Sequence, residues 1–193
     1  MNRRQALGAA VLTSVLVRHQ AAAQGQRDIV ELLRRGGCAL MLRHTQTEPG
    51  IGDPPGYRLD QCATQRNLSG EGRAQAKRIG LWFKSNYLSA QSVQSSAWCR
   101  CKDTAELAFG RFAALGALNS SFDNPSSQDR QTQALRSRLK TIVAGQFEVW
   151  VSHQVNITAM TGEAVAMGEG LLVSGKGAFL GRFISANQGA SVR

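Results

Sequence analysis

The chain is poor in long apolar runs. The stretch Ala6–Val17 covers about 12 residues, short of the roughly 20 that a bilayer-spanning helix needs. Histidine is scarce, at three residues, and cysteine numbers only four. Cys99 and Cys101 stand one residue apart, closer than the paired ligands of a zinc site, so a structural zinc centre is a poor reading. Internal repeats and linkers are lacking, which argues against solenoids and strings of modules. Acids are few, 13 against 23 lysines and arginines, for a formal charge of +10. That excess favours anionic partners. The basic residues are scattered over several segments and lack the aromatic-lined patch of a nucleic-acid binder, so no nucleic-acid partner is expected. What remains is 193 residues, 42% of them hydrophobic, enough for one globular domain with its own core.

The first residues are read as a targeting segment. Asn2-Arg3-Arg4-Gln5 gives a positive start, Ala6–Val17 an apolar stretch, and Ala21-Ala22-Ala23 the small residues of a cleavage site. This is the order of a secretory signal peptide over residues 1–23, which leaves a domain over residues 24–193. The Arg3-Arg4 pair points to the twin-arginine route. Cleavage would remove Arg3, Arg4 and Arg18 and no acid, lowering the charge from +10 to +7. The expected location is periplasmic or secreted, without stable membrane insertion after cleavage. An oxidising compartment permits a disulfide. Cys38 lies in an apolar strand and reads as a buried thiol. A Cys99–Cys101 bridge would be strained, so Cys62 is left to pair with Cys99 or Cys101.

Strand and helix signals alternate. Residues 27–35 read as an amphipathic helix stopped by Gly36-Gly37, and 38–42 as a buried strand. A loop rich in glycine and proline covers 45–68, and a long loop of this kind is usually functional. Ser69 caps a helix. A strand comes next over 92–96, then a helix over 101–109, a short strand over 112–118 and a loop over 119–127. The pattern closes with a helix over 128–144, a strong strand over 147–151, a helix over 155–160, and a hairpin of 171–173 with 178–184. Alternation of this kind argues for a layered α/β domain, whose ligand crevice lies beyond the carboxyl ends of the strands.

His44 and His153 both sit at such ends. Leu40-Met41-Leu42 runs into Arg43-His44, and Val149-Trp150-Val151 into Ser152-His153. One histidine at a strand end is ordinarily satisfied by local hydrogen bonds. Two in the same topological position, one beside an arginine, make a constellation. Arg100 lies past the end of a third strand at a helix start, where a guanidinium fork and helix N–H groups suit phosphate oxygens.

These segments resemble the motifs of the histidine phosphatase superfamily, which includes phosphoglycerate mutases and acid phosphatases. Arg43-His44-Thr45 resembles its nucleophile motif, with Thr45 where glycine is common. Ser95-Ser96 with Arg100 and Thr104-Ala105 resembles its second-arginine motif, and Val151-Ser152-His153 its second-histidine motif. Leu68-Ser69 with Gly72 and Gln75-Ala76 resembles the start of its first long helix. The likeness covers residues 37–184 and is closest to small exported bacterial members.

The resemblance implies a three-layer α/β/α, phosphoglycerate mutase-like fold with a mostly parallel central sheet. It implies an exported phosphomonoesterase that needs no cofactor and no metal. His44 would form a phosphohistidine, within a pocket of Arg43, Arg100 and His153, with Arg66 as a further phosphate contact. The expected substrate is a small phosphate ester or a phosphorylated envelope component. The alternative is an envelope protein that binds phosphoesters with little turnover. Gln154 stands where one branch of the family has an aspartate acid, so the acid is sought in the loop after the second arginine, where Asp123 lies, with Glu48 and Asp53 as rivals. The implied fold also puts Cys62 and Cys99 at one end of the sheet and turns Cys101 toward the core, which makes Cys62–Cys99 the expected disulfide.

Overall fold

The computed structural model describes residues 28–184. The signal-peptide reading of residues 1–23 lies outside the described residues. A first helix, α1, covers 28–35. Gly36 and Gly37 end it at φ 67° and 65°, a left-handed geometry that a side chain would strain. The chain then enters β1 (Cys38–Arg43), the buried strand expected from its sequence.

The remaining elements are α2 (Gly70–Ser85), β2 (Ser92–Ser95), α3 (Cys99–Phe109), β3 (Ala113–Ala114), α4 (Gln128–Leu139), β4 (Phe147–Ser152), α5 (Gln154–Thr161), β5 (Gly170–Ser174) and β6 (Phe179–Phe183). They build a six-stranded sheet in the order β3-β2-β4-β1-β5-β6. The pairs β3–β2, β2–β4 and β4–β1 are parallel. β5 and β6 form the antiparallel hairpin on the other side of β1.

β1, β4 and β5 are buried on both faces, which explains their mostly apolar sequences, whereas β3 and most of β6 lie exposed at the sheet edges. Leu40 and Leu42 pack with Val149, Val151 and Leu172 against Leu33 of α1, Ile79 and Phe83 of α2, and Ala105 of α3. Ala39 and Met41, pointing the other way, join Trp150, Leu171 and Val173 against Leu135 and Leu139 of α4 and Ile157 of α5. The result is three layers with a phosphoglycerate mutase-like topology. Trp150 carries a polar atom into the second core, and its indole Nε1 donates to Glu148 Oε2 at 2.6 Å. Arg138 of α4 holds the same carboxylate through Nε and Nη2 at 2.7 and 2.9 Å.

Three elements differ from the sequence reading. The helix expected over 128–144 stops at Leu139. Residues past it leave the helix to bond the α1–β1 turn: Gly37 N donates to Val143 O at 3.0 Å and Gly145 N to Arg35 O at 2.7 Å. This tie brings β4 alongside β1 and leaves Val143 exposed while Ile142 stays in the core. The strand expected over 112–118 keeps only Ala113–Ala114, after which Gly116–Leu118 turns as a 3-10 helix and drops Leu118 into the core. α3 starts at Cys99, two residues early, because the Trp98 carbonyl already accepts from Cys101 N and Lys102 N at 3.0 Å each.

Cys62 and Cys99 are joined by a disulfide, and Cys38 and Cys101 are buried free thiols. Burial pushes the Cys38 thiol up to about 11 and Cys101 up to about 12, so neither is a ready nucleophile. The bridge spans a sequence separation of 37. Chain entropy for such a loop predicts that the double Cys62→Ser, Cys99→Ser variant loses about 3–4 kcal/mol in urea unfolding. A change below about 1 kcal/mol would show that the bridge does not restrain the unfolded chain.

Candidate active site

β1 and β4 are adjacent and parallel, with Arg43 opposite Ser152. The residue after each strand therefore emerges at the same height. His44 and His153 meet edge to face with ring centroids 5.6 Å apart. His44 N donates to Ser152 O at 3.0 Å, extending the ladder one residue past the strands. β2 ends beside them and α3 begins there, which brings Arg100 to the same place. Arg43, His44, Asp53, Arg66, Arg100 and His153 line one cavity of about 310 Å³.

His44 is buried, and its Nδ1 lies 2.9 Å from the carbonyl oxygen of Thr45. A carbonyl only accepts, so Nδ1 carries the proton and Nε2 keeps the lone pair. Burial pushes the imidazole down to about 3, the Thr45 carbonyl pulls it partly back up, and the charges of Arg100, Arg43 and Arg66 lower it further. His44 is thus a neutral base with a fixed tautomer.

His153 is fixed in another way. Asn119 Oδ1 accepts from Ala97 N at 2.8 Å and from Ser96 Oγ at 3.4 Å. With its proton committed to Asn119, the Ser96 hydroxyl accepts from His153 Nε2 at 2.8 Å. His153 Nδ1 then faces Arg100 Nη2 at 3.5 Å. Burial holds this imidazole well below its ordinary range, with His44 and the three arginines adding to the shift.

Both arginines are anchored at one end. Arg43 Nη1 donates to Val165 O at 2.8 Å and to Gln154 Oε1 at 3.3 Å. Gln154 thus supports the first guanidinium. Arg100 Nη1 grips Asp53 at 2.7 and 3.0 Å. Among the described residues the buried Nε atoms of Arg43 and Arg100 have no hydrogen-bond partner. Each unmade bond costs about 1–3 kcal/mol, and an oxyanion in the cavity is the kind of acceptor that relieves it.

The loop between β1 and α2 supplies Arg66 and Asp53. Arg66 Nε donates to Gly52 O at 2.8 Å and its Nη1 to the Thr47 hydroxyl. The loop is fastened to three consecutive residues. Trp98 Nε1 donates to Asp53 Oδ2 at 2.9 Å, Cys99 N to Gln65 Oε1 at 2.9 Å, and Arg100 pairs with Asp53, in addition to the Cys62–Cys99 bridge. The Asp53–Arg100 side chains are 2% and 5% exposed. Burial raises the Asp53 carboxyl, but Arg100, the Arg66 backbone N–H and Trp98 outweigh it and hold the group below the usual range. Asp53 is therefore a carboxylate engaged with arginine, not a proton donor. Glu48 is exposed and does not line the cavity. Asp123 does line it and accepts from Tyr57 Oη at 3.1 Å.

Several residues of the sequence motifs act by positioning the site, through contacts that the motifs themselves do not announce. Thr104 Oγ1 donates to Arg100 O at 2.7 Å and accepts from Thr45 N at 3.1 Å, with Thr45 Oγ1 also 3.1 Å away. Thr45 thereby ties the turn at His44 to the start of α3. Ser69 caps α2, accepting from Gly72 N at 3.1 Å. A Cβ on Gly72 would sit 1.8 Å from Gln46 O, so only glycine lets α2 approach the turn after His44. Gln75 accepts from Gln46 N at 3.0 Å and donates to Met167 O at 2.9 Å, bracing the same turn from α2. Among the described residues no group of three or more His, Cys, Asp or Glu could hold a metal ion.

No protein-family model and no curated protein sequence matches the chain. Solved structures do match its fold. A protein assigned as the phosphohistidine phosphatase SixA from Agrobacterium tumefaciens superposes with a TM-score of 0.54 at 17% identity, over 77% of this chain and 98% of that one. TTHB049 from Thermus thermophilus gives 0.55 at 19% identity, over 75% and 98%. The protein histidine phosphatase SixA complexed with tungstate gives 0.51 at 14%, over 78% and 98%. At these identities the likeness is one of fold.

The buried imidazoles predict an acid-sensitive fold. Both have folded-state values below the unfolded value near 6.5, so below that pH the unfolded chain binds more protons and stability falls. Each contributes a slope of up to about 1.4 kcal/mol per pH unit, running for His44 from about pH 6.5 down to about 3. Urea midpoints between pH 7.5 and 5 should decline, and His44→Asn should flatten the decline. An identical slope in that variant would show that His44 is not buried neutral.

Proposed function

We propose that this chain is an exported phosphomonoesterase that works through a phosphohistidine on His44. The observation that carries the reading is the site's electrostatic pattern: a neutral imidazole with its Nε2 lone pair fixed, in one cavity with Arg43, Arg66 and Arg100. A phosphate monoester is a dianion that repels nucleophiles, and a phosphatase must neutralise it without protonating its own base. Here the guanidiniums supply the positive charge, and burial, with those charges added to it, keeps His44 unprotonated. The fold shared with structures described as phosphohistidine phosphatases, one of them complexed with the oxyanion tungstate, supports the phosphatase reading. Export rests on the Arg3–Ala23 pattern alone.

In the proposed reaction, Arg43, Arg66 and Arg100 hold the phosphoryl oxygens in the cavity. The bound dianion raises the proton affinity of His153, which then donates through Nδ1. His44 Nε2 attacks phosphorus, the P–N bond forms and the ester P–O bond breaks. Asp123, at the cavity wall, gives its proton to the departing oxygen. Water then attacks the phosphohistidine while Asp123 takes its proton, and the P–N bond returns its electrons to His44. Tyr57, whose hydroxyl is held neutral by burial and by the adjacent Asp123, keeps that carboxyl in place.

His44→Ala should lower turnover of p-nitrophenyl phosphate by on the order of 10³-fold or more while leaving the circular dichroism spectrum unchanged. Acid-labile, base-stable phosphoprotein should be trapped from the wild type on rapid quenching. Near-normal turnover by this variant would refute the mechanism.

Asp123→Asn separates the acid from the rest of the machinery. It should slow alkyl phosphates on the order of 10²-fold and change p-nitrophenyl phosphate only a few-fold, because that leaving group needs little protonation. Equal losses on both substrates would remove Asp123 from the proton path.

A further inference from the structure

The parallel strands carry the arginine cavity at their carboxyl ends, and a different surface lies at their amino ends. Cys38, Phe147 and Ser174 share one level there. Five connections meet at this foot of the sheet and are tied to one another. The α4–β4 turn joins the α1–β1 turn through Gly37 N, which donates to Val143 O at 3.0 Å. The β5–β6 turn joins them through Gly175 N, which donates to Gly37 O at 2.9 Å. Arg34 Nη2 donates to Asn86 O in the α2–β2 turn at 3.1 Å, and Arg111 Nη2, just past α3, donates to Ala90 O at 2.6 Å. Segments far apart in sequence thus make one face.

That face has one sign of charge. Residues 34–37, 84–91, 109–113, 139–147 and 174–179 hold Arg34, Arg35, Lys84, Arg111, Lys140 and Lys176, and no Asp or Glu. All six cations are exposed. Glu31 meets Arg35 only at 3.8 Å across exposed side chains, and Glu148 is buried under Arg138. Cations at helix C-termini offset the helix dipole. That accounts for Lys84 and Lys140 but not for Lys176, which stands in a hairpin turn. Arg136, Lys140 and Lys176 also line a cavity of about 410 Å³ between α4 and that turn. Apolar side chains protrude among the cations, with Tyr87 92%, Val143 56% and Phe179 52% exposed.

A face built only for solvation has no use for those apolar tips. Cations around protruding apolar groups suit a bilayer surface, where the charges meet anionic head groups and the tips enter the interface. We infer that the foot of the sheet docks on an anionic phospholipid surface, with Tyr87, Val143 and Phe179 at the head-group boundary and a lipid phosphate in the cavity of Arg136, Lys140 and Lys176. A polynucleotide matches the charge but offers nothing apolar to Val143 or Phe179. Docking in this way turns the arginine cavity, at the other ends of the strands, away from the bilayer. It stands whether or not that cavity turns over phosphate esters.

Sedimentation of the full chain with lipid vesicles tests the docking. The Ala6–Val17 stretch is common to every variant, so differences between variants report the foot. The wild type should bind vesicles of mixed phosphatidylglycerol and phosphatidylcholine on the order of 10²-fold more tightly than pure phosphatidylcholine, a preference that fades as salt rises. Lys140→Glu with Lys176→Glu should weaken this binding on the order of 10²-fold. Lys77→Glu with Arg130→Glu, the same charge change at exposed positions away from the foot, should weaken it only a few-fold. Tyr87→Ser with Val143→Ser should weaken it on the order of tenfold and leave its salt dependence unchanged. Added fluorescence in Tyr87→Trp should be quenched by brominated lipid, and that in Ile51→Trp, at the arginine cavity, should not. Equal binding to both kinds of vesicle, equal losses from the two charge pairs, or quenching at Ile51→Trp instead of Tyr87→Trp would overturn the docking. Vesicle binding indifferent to Tyr87→Ser with Val143→Ser, together with duplex DNA binding that needs Lys140 and Lys176, would overturn it in favour of a nucleic-acid surface. The quenching measurement needs no charge variant and decides the matter should one misfold.

Discussion

Three guanidiniums share one cavity with a single buried carboxylate, and the surrounding structure answers that imbalance. Asp53 pairs with Arg100, and Arg43 and Arg66 add further positive charge to the cavity. Arg43 and Arg66 are themselves held below their ordinary range, first by burial and then by their neighbours' charge. Burial, with the arginine charges added, keeps both imidazoles neutral. Neutrality then requires that each ring have a defined donor side, which the Thr45 carbonyl and the Ser96–Asn119 pair provide. A positively charged cavity with its bases unprotonated is costly to fold and suited to a dianion, the trade expected of a preorganised site.

Much of this is legible in the sequence because it depends on local pattern and topology. The apolar runs before His44 and His153 could only be buried strands, and buried parallel strands deliver the residues after them to one end of the sheet. Ser69, Gly72 and Gln75 are recognisable as a helix start. The structure adds the physical reason for each: a cap, a close backbone approach and an amide brace on the turn after His44. Arg100 at the start of α3 is legible from the strand-to-helix change around Trp98.

The part that cannot be read depends on contacts distant in sequence. Nothing near Asp53 announces that it will meet Arg100, 47 residues on, so it reads as one loop acid among several. Gln154 reads as a missing acid until Arg43 is placed against it. The end of α4 is misread because Ile142 and Val143 keep helical spacing, while the bonds to residues 35–37 that break the helix come from the far side of the chain. A larger cavity of about 540 Å³, lined by Tyr57, Trp98 and Asn119 together with Arg130 and Gln131 of α4, likewise has no motif, because its walls come from segments far apart in sequence.

The fastening of the β1–α2 loop to Trp98, Cys99 and Arg100 has a consequence for how the protein tolerates change. The loop is pinned at Asp53 on one side and at Cys62 and Gln65 on the other. Between these pins, residues 54–61 are mostly exposed. Chain inserted there would hang from two fixed posts, and the cost of closing a longer loop grows only slowly with its length. New covering structure can therefore be added over the cavities without shifting Arg66 or Asp53. The molecule separates the residues that line the arginine cavity from a part free to diversify, within a single connecting segment.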